Sequence, residues 1–153
     1  MAACGKHKEG GMSGPTMNNK VPETKRPALQ SNDIMDRSAE TKESEVQHIL
    51  ISYQELAKSL GDRMDPRAKS RTKANAEILV ARLFKEAKQG ADFTTLMKIY
   101  SEDPGSAKTG KAYTVEPTTR FVYEFKHLAL RLKVGEVGKV HSDFGWHIMK
   151  RVE

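Results

Sequence analysis

The chain is 153 residues long, 37% hydrophobic and 7% aromatic, with 26 Lys and Arg against 20 Asp and Glu. That length supports one domain around one core, and no apolar run approaches the roughly 18 residues of a membrane-spanning helix. A single cysteine, Cys4, excludes an internal disulfide framework and a cysteine-based zinc knuckle, so stability must come from packing.

Residues 1–45 contain no Phe, Trp or Tyr and hold Pro15, Pro22 and Pro27 among Gly, Ser, Thr, Asn and Lys. Such a segment buries too little apolar surface to offset its ordering entropy. It is expected to be a disordered tail, with the folded domain over residues 46–153. Acids and bases balance in the tail, which leaves the whole net charge of +6 on the domain. The tail opens Met1-Ala2-Ala3-Cys4-Gly5, and small residues before a cysteine suit a bacterial lipoprotein processing site, although the charged start and apolar stretch of a signal are absent. Cys4 is therefore a candidate lipid anchor of an envelope lipoprotein; without processing, the chain reads as cytoplasmic.

The run Val46-Gln47-His48-Ile49-Leu50-Ile51-Ser52 is short, apolar and β-branched, which predicts a strand. A loop with Gly61, Asp62, Asp65 and Pro66 follows. Ala76, Leu79, Val80, Leu83, Phe84 and Ala87 then form one helical stripe, capped by Ser70 or Thr72 in front and Gly90 behind. Asp92 caps a shorter helix bearing Phe93, Leu96, Met97 and Tyr100. Residues 101–110 read as a loop, 112–115 as a brief strand, and Phe121, Phe125, Leu128 and Leu132 as a third helix ended by Gly135 and Gly138. Two strands, 138–142 and 146–152, meet at Asp143-Phe144-Gly145, a hairpin signal. The order β-α-α-β-α-β-β predicts an α+β fold with helices around a small sheet. No heptad pattern suggests a coiled coil, and a monomer is expected.

Between Lys58 and Lys73 the basic residues outnumber the acidic ones. Such a run reads either as a solvated surface or as an anion-steering rim, with Arg63, Arg67, Lys69 and Arg71 as candidates. Nucleic acid is a third partner for a basic patch, but the aromatic interleaving and recognition motifs that would support it are missing.

In order along residues 46–153, the chain resembles the parvulin-type peptidyl-prolyl cis/trans isomerases. The motifs are His48-Ile49-Leu50-Ile51, Ser70-Arg71-Thr72-Lys73-Ala74-Asn75-Ala76, Gly90-Ala91-Asp92-Phe93, Tyr100-Ser101-Glu102-Asp103, Leu132-Lys133-Val134-Gly135-Glu136-Val137 and Phe144-Gly145-Trp146-His147-Ile148-Met149-Lys150. The resemblance implies the parvulin fold, a four-stranded antiparallel sheet surrounded by helices. It also implies an activity on proline-containing polypeptide segments that needs no metal or other cofactor. The family's paired histidines fall on His48 and His147, its Cys or Asp position on Asp103, its hydroxyl near the second histidine on Ser142, and its proline-pocket wall on Phe121 and Phe125. Residues 109–114 depart from the family's Gly-Gly-Asp-Leu-Gly, and Tyr113 replaces the leucine that helps line the pocket.

An X-Pro bond has a rotation barrier of about 18–20 kcal/mol, so catalysis means stabilising the twisted amide. That asks for an aromatic cup, here Phe121, Phe125 and Tyr113 with Met97 as a further candidate, and a polar floor of His48, His147, Asp103 and Ser142. Each has a plainer reading beside it. The histidines can form a structural pair, Asp103 can cap the turn before Pro104-Gly105, and Phe121, Phe125, Met97 and Trp146 can be core. His127 and His141 match no metal-ligand spacing. A chaperone or peptide-binding module with little turnover is the alternative to an enzyme, and an acidic preference before proline is the expected use of the basic rim.

Overall fold

The computed structural model describes residues 29–153. The expectations for residues 1–28, the lipid anchor at Cys4 among them, lie outside the described residues. In chain order the elements are α1 (Asn32–Met35), β1 (Ser44–Ile51), α2 (Ala57–Leu60), α3 (Pro66–Lys69), α4 (Lys73–Lys88), α5 (Phe93–Tyr100), α6 (Pro104–Thr109), β2 (Tyr113–Val115), α7 (Tyr123–Ala129), β3 (Val137–Ser142) and β4 (Gly145–Arg151).

The four strands make one antiparallel sheet in the order β2-β1-β4-β3, as expected for the fold. Strand residues alternate between two faces, and here both faces are covered. Ile49, Ile51, Trp146 and Ile148 point to one side, where Val80 and Leu83 of α4 and Phe93 and Met97 of α5 close over them. Val46, Val140 and Met149 point to the other, against Phe125 and Leu128 of α7. The helix ends follow from their caps: Thr72 Oγ1 accepts the Asn75 amide at 3.2 Å and Asp92 Oδ2 accepts the Thr95 amide at 3.1 Å. The β3–β4 hairpin turns tightly because Gly145, at φ 126, packs on the Ile51 carbonyl, where any Cβ would collide.

Several boundaries differ from expectation: β1 begins at Ser44, and the expected loop before α4 carries the short helices α2 and α3. The span 101–110 is not all loop, since Asp103 caps α6 with Pro104 in its first turn. The third helix ends at Ala129 rather than at Gly135, and Gly138 lies within β3, under Leu128 and Leu132. The largest correction concerns residues 29–45, which are not a tail. Ile34, 4% exposed, enters the core beside Phe125 and Leu128. Ser31 pairs with Lys139 through two backbone-directed hydrogen bonds at 2.9 and 3.0 Å. Arg37 grips Glu136 with two bonds at 2.7 and 2.8 Å, and its carbonyl accepts Arg131 Nε at 2.7 Å. The segment is polar, yet several of its polar groups have fixed partners, Ile34 is buried, and Leu29 and Met35 pack partly buried against the core.

Candidate functional site

The site lies on the α7 side of the sheet. His48 pairs with Met149 across β1–β4 and His147 pairs with Leu50, so the two imidazoles sit diagonally on one face with ring centroids 5.8 Å apart. His48 Nε2 donates to Asp103 Oδ2 at 3.0 Å, and Tyr113 Oη donates to the same oxygen at 2.8 Å. Ser142 Oγ is 2.7 Å from His147 Nε2 and accepts the Phe144 amide at 3.1 Å. The Nδ1 atoms of both histidines are buried without a partner.

Above this floor stands an aromatic wall. Phe121, in the lead-in to α7, stacks on Phe125 at 4.6 Å, and Tyr113 adds a third ring 5.5 Å from Phe121. Phe125 presents its edge relation to both imidazoles, at 4.9 Å to His48 and 5.4 Å to His147. Together with Leu50, Asp103, Arg120, Val122 and Phe144 these residues line an open cavity of about 300 Å³. A second cavity of about 190 Å³ adjoins it along Leu50, Asp103 and Phe144, and continues past Ser52, Leu60, Arg63 and Met64.

The charge state of the floor follows from its partners. Asp103 is held well below the usual carboxylate range, chiefly by the His48 hydrogen bond and then by that of Tyr113. Burial pushes His147 from 6.5 down to about 3, so it is neutral. Burial beside the carboxylate moves the Tyr113 hydroxyl up to about 12. A stability consequence follows. An unfolded chain protonates His147 below about 6.5 while the folded chain resists until about 3, so stability falls as pH drops through that window. Asp103, whose folded carboxyl is also held low, has the same sign of dependence, but its contribution is lost only as pH falls below the unfolded carboxylate value near 3.9. Urea unfolding at pH 5 should therefore give about 2 kcal/mol less stability than at pH 7; equal stability at the two pH values would contradict a buried neutral His147.

Most residues expected at the site are brought together: His48, Asp103, Tyr113, Phe121, Phe125 and His147 line the larger cavity, and Ser142 stands behind His147. Asp103 also caps α6 through the Ser106 amide at 3.4 Å, so its plainer reading holds alongside. Met97 is a correction. It is fully buried in the α4–α5 core on the opposite face of the sheet, because α5 packs there, and it does not reach the cavity.

The anion rim is corrected in part. Arg67 is engaged by Asp65 at 3.0 Å and by the carbonyls of Ile99 and Ser101 at 2.8 and 3.1 Å. Arg71 is bonded to Glu102 Oε2 at 2.6 Å and to the Ser52 carbonyl at 2.8 Å. Lys69 lines neither cavity, and only Arg63 of the four does. Arg120, whose only sequence signal is that it directly precedes Phe121, stands exposed on the wall of the larger cavity. Among the described residues no group of three His, Cys, Asp or Glu side chains is placed to hold a metal ion, and no helix is long and apolar enough to cross a membrane.

The described residues thus form an α+β domain with a concave aromatic cup over a polar floor. Residues 32–153 match the family model described as the PPIC-type PPIASE domain, and the chain belongs to that family, the parvulin-type peptidyl-prolyl isomerase domains. A chaperone SurA of Pseudoalteromonas translucida is 31% identical over 128 residues, covering 82% of this chain and 26% of that one. A foldase protein PrsA of Geobacillus kaustophilus is 46% identical over 63 residues, covering 40% of this chain and 22% of that one. The chain thus spans about a quarter of the length of these curated relatives. Among solved structures, the peptidylprolyl isomerase PrsA of Bacillus cereus superposes with a TM-score of 0.51 at 30% identity, covering 80% of this chain and 38% of that one. The peptidyl-prolyl isomerase ESS1 of Candida albicans, at 20% identity, TM-score 0.59 and coverage of 76% and 66%, attests to the fold alone.

Proposed function

We propose that the protein catalyses cis/trans rotation about X-Pro bonds in polypeptides, by binding the twisted amide more tightly than either planar form. The observation that carries this reading is the cup of Tyr113, Phe121 and Phe125 directly over the His48–Asp103 and His147–Ser142 pairs. The pyrrolidine ring enters the aromatic cup, where its apolar face is desolvated. Rotation breaks the C–N resonance, and fixed hydrogen-bonding groups then meet the uncoupled carbonyl and nitrogen without reorganising. His48, Asp103, His147 and Ser142 supply that floor, and the step needs no proton transfer or covalent intermediate.

A preference for acidic residues before proline rests on Arg63 and Arg120, because Arg67 is already engaged by Asp65 and Arg71 by the buried Glu102. As exposed cations they steer encounter rather than grip, an effect that salt screens. The second reading is a module that holds proline-containing segments with little turnover. The names foldase and chaperone borne by the relatives favour it, as does Tyr113 closing the cup where the family has leucine. The test is cis/trans exchange measured by NMR on Glu-Pro, Ala-Pro and Lys-Pro peptides with substoichiometric protein. The enzyme reading expects accelerated exchange for all three, fastest for Glu-Pro at low salt; chemical-shift changes without acceleration would favour the holding module. Equal Glu-Pro and Lys-Pro rates would remove the arginines from substrate choice.

A further inference from the structure

Asp103 is where the hydrogen bonds of the site converge, and they converge unevenly. Its Oδ2 accepts from Tyr113 Oη at 2.8 Å, His48 Nε2 at 3.0 Å and the Ser106 amide at 3.4 Å, whereas no donor in the described protein reaches Oδ1. Oδ1 is not buried, and the side chain, 27% exposed, lines both cavities. One carboxylate oxygen is therefore saturated by the protein and the other is left to the open site. A carboxylate accepts hydrogen bonds and donates none, so whatever meets Oδ1 must be a donor.

Of the three donors, Tyr113 makes the shortest bond, at 2.8 Å. Room for its hydroxyl depends on Gly105, where an added Cβ would overlap Tyr113 Oη. The terminal torsion of aspartate is broad, and each bond to Oδ2 narrows it. We propose that Tyr113 is a positioning residue for the isomerase: its hydroxyl fixes Asp103 Oδ2 so that Oδ1 is presented to a backbone N–H of the bound polypeptide beside the X-Pro bond. This assignment rests on the isomerase reading. The prolyl nitrogen carries no hydrogen, so the donor is the amide of a flanking residue, and the bond, made to a charged oxygen, is stronger than a neutral one.

The experiment compares exchange rates for an Ala-Pro peptide and two analogues in which an ester replaces one flanking amide, either the one after proline or the one before alanine. The enzymes are wild type, Tyr113→Phe and Gly105→Ala, the last displacing the hydroxyl while keeping the tyrosine. Wild type is expected to act about tenfold more slowly on one of the esters than on the parent. Both variants should lose a similar factor on the parent, after which parent and ester rates converge to within about twofold. A tyrosine that served packing alone would lower every rate together and leave the tenfold ratio in place. The assignment is overturned if that ratio persists in the variants, or if wild type is indifferent to both esters. Should one variant fail to fold, the other decides. A wild type that does not accelerate the parent peptide removes the isomerase reading and this assignment together, whereas an active wild type with an unchanged ratio removes the assignment alone.

Discussion

Replacing Arg71 with alanine is expected to destabilise the fold by about 3–5 kcal/mol, because it leaves a buried carboxylate without its partner. Glu102 is 1% exposed at its side chain, and its oxygens have two uses: Oε1 accepts the Ser52 amide at 2.7 Å and Oε2 accepts Arg71 at 2.6 Å. Burial already raises the Glu102 carboxyl above its ordinary value even with the guanidinium in place. Arg71 is itself only 14% exposed and also holds the Ser52 carbonyl, so it ties the end of β1 to the segment before α4. The double variant Arg71→Met with Glu102→Gln should recover part of the loss, since neither member then leaves a charge behind. Urea unfolding checks both. A loss below about 1 kcal/mol, the range of exposed ion pairs, would return Arg71 to the surface role that its charge alone suggests.

The second large effect falls on Phe125. It is 2% exposed, stacks with Phe121 and contacts both histidines, so Phe125→Ala removes the floor-side wall of the cup. Loss of about 2–3 kcal/mol of apolar contact with the proline ring corresponds to a fall in kcat/KM of about two orders of magnitude, chiefly through KM. Truncation also costs stability, on the order of 3–5 kcal/mol for a buried phenylalanine, so the rates belong at a low temperature with folding verified by circular dichroism. Met97→Ala is the control. It opens a comparable core defect on the far face of the sheet, where a change in KM is not expected. Equal KM changes in the two variants would mean that the cup is felt only through general loosening.

Much of this was legible in the sequence, for physical reasons that differ by element. The strand carrying His48 announced itself by a β-branched run, and the long helix by a stripe at helical spacing between Thr72 and Gly90. Asp92 and Thr72 are local signals, since a cap bonds within three residues. The family motifs supplied the histidine pair, whose diagonal placement depends on strand register and could not be read from spacing. What local pattern lacks is direction. Met97 has the right period for a buried helix face, but only the packing of α5 decides on which side of the sheet that face lies. The pairing of Arg71 with Glu102 spans 31 residues, so the same arginine reads as free charge in a linear count. Residues 29–45 look like a tail by composition, which weighs apolar content, whereas the segment is held by Arg37–Glu136, Ser31–Lys139 and the buried Ile34.

The measurement that bears most directly on the account is two-dimensional exchange spectroscopy of an Ala-Pro peptide with a small fraction of the protein present, beside the same sample with Phe125→Ala. Wild type is expected to raise the cis/trans exchange rate in proportion to its concentration without altering the cis to trans ratio, and the variant to lose nearly all of that effect. Binding shifts with an unchanged exchange rate, or equal acceleration by the two proteins, would contradict it.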